Sequence, residues 1–116
     1  GLPNMSWTPI KRGEVEVVGP HPEHRGLLEV KVPLSAEPPS DWVFAFQNAF
    51  GVVTKANMLP PMLDGRDVWL TPRDGELAFY VSHLDERIAS ANAWYEQNVL
   101  PKINARAARE KAEAEE

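Results

Sequence analysis

Residues 67–82 read DVWLTPRDGELAFYVS, and the fold depends on how this stretch is parsed. Val68 and Leu70 alternate with Trp69, the period of a half-buried strand. Pro72-Arg73-Asp74-Gly75 follows, and an Asp-Gly pair between alternating runs is a strong hairpin signal. Beyond it Leu77, Phe79 and Val81 alternate with Ala78 and Tyr80, so the reading pairs a strand over 76–82 with one over 67–71. If the aliphatic set faces a core, Trp69 and Tyr80 share the opposite, open face of the sheet.

Downstream, Leu84, Ile88, Ala91, Tyr95 and Val99 recur at spacings of 4, 3, 4 and 4, which predicts a long amphipathic helix. Ser82 or Asp85 would cap it, and Pro101 should kink or end it. Residues 105–116 are rich in Ala, Arg, Lys and Glu and have no apolar face beyond Ala. They are read as a solvated helical or disordered tail on a single domain spanning 1–104.

Upstream, the pattern repeats in outline. Val15 and Val17 alternate with Glu14 and Glu16, a strand signal over 14–18. A Pro- and Gly-punctuated loop follows, and residues 27–34 form a second alternating strand that should end at Pro33 or have a free side there. Ser40 or Asp41 can cap a helix over about 41–50, with Trp42, Phe46, Ala49 and Phe50 on one stripe and Gly51 as its stop. Phe44 lies well off that stripe, which suggests cover on more than one side. Residues 51–66 resist a regular assignment, because Pro60 and Pro61 block helix and central strand alike; Asp64-Gly65-Arg66 is a turn. The expected architecture is α+β: a four-stranded, mostly antiparallel sheet with two helices on one face, in the order ββα-ββα.

Composition bounds the function. The chain has 116 residues, enough for one core without metal or disulfide support. It has no Cys, which removes thiolate ligands and cysteine nucleophiles and fits a reducing, cytoplasmic setting. No apolar run is long enough for a transmembrane helix, and no basic stretch followed by an apolar segment marks a secretory signal. The Ala-, Arg-, Glu- and Pro-rich usage suggests a bacterial protein. Net charge is −5 without a basic cluster, which makes nucleic acid an unlikely partner, since phosphate neutralisation needs Lys and Arg.

Chemistry-bearing groupings are few. His21-Pro22-Glu23-His24 offers two imidazoles and a carboxylate but no fixed third metal ligand. Ser82-His83-Leu84-Asp85 holds triad residue types, yet sequence neighbours rarely aim at one another. Asp64, Asp67 and Asp74 read as turn residues. No phosphate-cradling glycine loop or nucleophile elbow is present. No catalytic residue, metal or cofactor is therefore assigned. The candidate binding residues are apolar: Trp69 and Tyr80 on the open sheet face, and Met58, Leu59, Met62 and Leu63 around the proline pair. Two competing readings cover these surfaces, with Trp7 and Ile10 lying on the sheet and the 58–63 loop folding back to plug the core. The expected function is a non-catalytic protein-binding or self-assembly module, a homodimer or a module for another protein. The alternatives are a small hydrolytic or metal-dependent enzyme using His21, His24 or His83, and a nucleic-acid binder working through the sheet.

Overall fold

The computed structural model describes residues 7–115. Its elements are β1 (Glu16–Pro20), β2 (Leu28–Pro33), α1 (Ser40–Asn48), β3 (Met62–Asp64), β4 (Asp67–Leu70), α2 (Leu77–Asn98) and α3 (Leu100–Ala114). The four strands form one antiparallel sheet in the order β1-β2-β4-β3. The class is α+β and the order ββα-ββα, with α3 continuing from the second half.

The two central strands build the core by strict alternation. Val30 lies opposite Leu70 and Val32 opposite Val68, and all four are essentially solvent-free. Trp42, Ala45 and Phe46 of α1 and Leu84, Ile88 and Ala91 of α2 complete that core, so both helices cover the same face of the sheet. The β1–β2 pairing shifts register between Val17 and Gly19, leaving Val18 as a bulge.

The second half differs from the sequence reading in one respect. Residues 76–82 are helix: α2 begins at Leu77, not near Leu84. The helical stripe simply runs further back, since buried Tyr80 precedes Leu84 by four residues and Leu77 by seven. The alternation of Leu77, Phe79 and Val81 coincided with that period over too few residues to outweigh it. Pro72-Arg73-Asp74-Gly75 is consequently the entry loop of α2 rather than a hairpin turn. The fourth strand is instead Met62–Asp64, just past the proline pair. The hairpin turn is Asp64-Gly65-Arg66, where Gly65 at φ +61° takes the first central position of a two-residue loop that requires positive φ.

The first helix also ends early. Ala49 adopts the left-handed conformation, φ 49° and ψ 50°, and closes α1 before Phe50 and Gly51. Its N-terminus carries no side-chain cap, with Pro39 in the cap position where Ser40 or Asp41 was expected.

The chain preceding β1 packs on α2. Trp7 lies tilted against Tyr95 with ring centroids 4.3 Å apart, and Ile10 is buried beside Asn92. Asn92 binds three groups: its Oδ1 accepts from Ile10 N–H at 3.0 Å and Trp42 Nε1 at 2.8 Å, and its Nδ2 donates to Ile10 O at 2.9 Å. Trp7 and Ile10 thus do not cover the outer sheet face. At the other end, Val99, still right-handed at φ −108° and ψ −50°, marks the junction just ahead of Pro101, and α3 runs on with no fully buried side chain. The molecule is accordingly elongated, about 64 × 25 × 20 Å.

Candidate functional site

The outer face of the sheet carries one cross-strand row, Glu16–Lys31–Trp69–Met62, set by the pairing of all four strands. Trp69 is half-buried between Lys31 and Met62, and Met62 is 64% exposed. Lys31 reaches Asp67 at 3.8 Å on the same face. This is a narrow apolar strip within a charged surface.

The other candidates fall elsewhere. Tyr80 does not lie on the open sheet face: it is buried in the first turn of α2, and its hydroxyl accepts the Leu59 N–H at 3.1 Å. That correction follows directly from the helical state of residues 77–82. Leu63 lies opposite Val68, whose side chain is in the core, and packs against that core; Met58 also packs there. Leu59 remains exposed. The loop is therefore split, part plugging the core and part, Leu59 and Met62, facing solvent.

His21 and His83 are engaged structurally. His21 Nδ1 accepts the backbone N–H groups of Glu23 and His24 at 3.1 and 3.2 Å, folding its own loop. Among the described residues no group of three or more His, Cys, Asp or Glu is disposed to hold a metal ion. His83 is buried on α2, and Ser82 and Asp85 are exposed. Its Nε2 accepts from Arg87 Nε at 2.8 Å, while Nδ1 stands 3.3 Å from Val53 O. That geometry requires a neutral ring with its proton on Nδ1, bound to the Val53 carbonyl. Burial, and secondarily the Arg87 charge, hold its pKa below the ordinary value of 6.5.

Arg87 and Ser90 continue this ladder along α2. Arg87 donates to Phe46 O at 3.0 Å and lies over the Phe46 ring, and Ser90 Oγ donates to Phe50 O at 2.6 Å. Three side chains, spaced four and three residues apart on one helix face, thus hold the end of α1 and the segment leaving it.

That segment produces the largest aromatic surface. With α1 closed at Ala49, Phe50 turns outward and meets Phe44 and Trp94, with ring centroids 5.4 to 6.1 Å apart. Phe44 and Phe50 are 50% and 44% exposed. From Trp94 a groove of about 400 Å³ leads along Val99 and Lys102 to Ile103 and Arg106 of α3. The position of Phe44 off its helical stripe was a sequence signal for this patch. Trp94 gave none, because it sits between Ala91 and Tyr95 of an otherwise complete stripe.

Comparison with family models, with curated proteins and with solved structures finds no match to the chain. Among the described residues no helix is long and apolar enough to cross a membrane.

Proposed function

We propose that the chain is a small assembly module, not an enzyme, that pairs with a second copy of itself through the outer face of its helices. The observation that carries this reading is the cluster of Phe44, Phe50 and Trp94 on the solvent side of a helical layer, where polar residues are the norm. Exposed aromatic clusters of this kind mark protein contacts.

The charge pattern of α3 favours a second copy as the occupant. Residues 100–109 carry Lys102, Arg106 and Arg109 and no acid, whereas residues 110–115 carry Glu110, Glu113 and Glu115 against Lys111. Cations at the start of a helix and acids at its end oppose the helix dipole. The Arg106–Glu110 pair also runs in the weaker order, with the base N-terminal to the acid. An antiparallel copy sets each cationic half against an anionic half and opposes the two dipoles. The absence of Cys fits assembly in the cytoplasm.

Sedimentation equilibrium tests the reading. The expected result is a reversible monomer–dimer equilibrium that weakens with added salt, and Phe44→Ser should shift it to monomer. A protein that stays monomeric at millimolar concentration overturns it.

A second reading rests on the exposed Met62 beside Trp69, which offers a smaller contact for a different protein. The acids on that face, Glu16, Glu29 and Asp67, argue against nucleic acid there.

A further inference from the structure

A concavity of about 340 Å³ opens where the 21–27 loop meets the entry loop of α2. Its walls include His24, Arg25, Asn57, Leu59 and Arg73, and Tyr80 lines it from the first turn of α2. Two guanidinium groups and an imidazole thus converge on one hollow of a chain whose net charge is −5.

The two guanidinium groups are little engaged by acids of the chain. Among the described residues Arg25 has no carboxylate within ion-pair distance, and the one near Arg73 is Glu76 at 4.0 Å. Glu23 is the single acid on the wall. The adjacent start of α2 has Glu76 at its cap position, but no side chain bonds its free N–H groups and its first turn holds no acid.

The walls are tied in place. His21 N–H donates to Leu27 O at 2.8 Å, and His21 Nδ1 holds the 23–24 backbone. Leu28 N–H donates to Pro72 O at 2.8 Å, and Leu27 bridges Arg73, which sets the two arginine-bearing loops side by side. The Tyr80 hydroxyl holds Leu59. A hollow with fixed walls binds without the cost of ordering loops.

We propose that this hollow binds a small molecule bearing a phosphate or carboxylate group. Arg25 and Arg73 supply the forked donors suited to planar or tetrahedral oxyanions. Glu23 is placed to accept from a hydroxyl or amine elsewhere on the ligand. Tyr80 precedes Trp94 by fourteen residues on α2, about 20 Å at the helical rise, so this site is independent of the aromatic patch.

The test is an NMR titration of the full chain with inorganic phosphate, and separately with citrate, at constant ionic strength made up with sodium chloride. The expected result is saturable shifts confined to residues 23–27, 57–59 and 73 and the Arg side-chain N–H groups. Arg25→Gln and Arg73→Gln should each weaken binding by about tenfold or more. Saturation by phosphate alone identifies a phosphate ester as the ligand class, by citrate alone a carboxylate, and by both an oxyanion site open to either. No saturation with either anion, or saturation unchanged in both variants, overturns the proposal. Both arginines are exposed, and unchanged thermal melting of the variants separates lost binding from lost fold.

Discussion

The outer face of the sheet and the outer face of the helices are both open to solvent, yet they are surfaced by different rules. On the sheet, period-2 alternation sends Val30, Val32, Val68 and Leu70 inward and leaves Glu16, Lys31 and Asp67 outside, with Trp69 and Met62 as an apolar strip among charges. On the helices, the departure from the amphipathic norm comes from one termination. Ala49 turns left-handed, Phe50 leaves the buried stripe, and it joins two aromatics already off it. The difference shows that a single backbone conformation at a helix end can turn a ring of the buried stripe outward and join it to an exposed cluster, whereas a strand register fixes which residues face out all along its length.

The helices that carry the aromatic face are tied together through Asn92, and breaking that tie should have the largest effect. Asn92→Ala leaves Trp42 Nε1 and both backbone groups of Ile10 without partners. The expected loss in urea denaturation is about 3 kcal/mol. A loss below about 1 kcal/mol would show that water replaces the amide and that the N-terminal strap is not integral to the layer.

Removing the patch should come next. Phe44→Ser and Phe50→Ser are each expected to raise the dimer dissociation constant about thirtyfold, with little change in melting because both rings are half exposed. Equal dissociation constants for wild type and variants would return the assembly role to the sheet.

Acid should loosen the same surface through its anchor. The folded pKa of His83 lies below 6.5, so on acidification the unfolded chain takes up the proton first. The stability tied to the neutral ring is full above pH 6.5. It falls as pH drops below that value, by up to about 1.4 kcal/mol per pH unit, until the folded pKa is reached. Protonation also abolishes the acceptor for Arg87. Denaturant midpoints from pH 7.5 down to pH 5 should fall in wild type and more shallowly in His83→Gln; parallel curves would place the acid sensitivity in other groups.

The smallest effect is expected on the sheet. Met62→Asp and Trp69→Ala should leave the fold intact and weaken self-association by less than about threefold. A larger loss in either variant would make the sheet strip the principal contact.

Much of this was legible in the sequence. The strands over 28–33 and 67–70, the helix bearing Trp42 and Phe46, and the long stripe through Leu84 to Tyr95 follow from periodicity. The chain contains Asp-Gly twice, however, and the hairpin uses Asp64-Gly65 rather than Asp74-Gly75. The local signal is identical; what separates them is the helical spacing from Leu77 onward, visible only when the stripe is extended back from Leu84. That one misassignment moved Tyr80 from the core to a surface, while Trp69 kept its predicted parity. Phe50 was not readable as exposed, because a left-handed Ala has no sequence mark. The convergence of Arg25 and Arg73 was equally hidden, since it depends on the long-range Leu27–Arg73 bridge.

The two ends of the sheet carry a further consequence. On one side β1 is broken by the bulge at Val18 and closes with Gly19 and Pro20; on the other β3 is three residues long and follows Pro60-Pro61. Neither border presents a straight row of free backbone donors and acceptors on which another strand could template. Copies of this domain can therefore crowd together without zipping into cross-β ribbons, and the self-association proposed above would have to proceed through side chains on its faces.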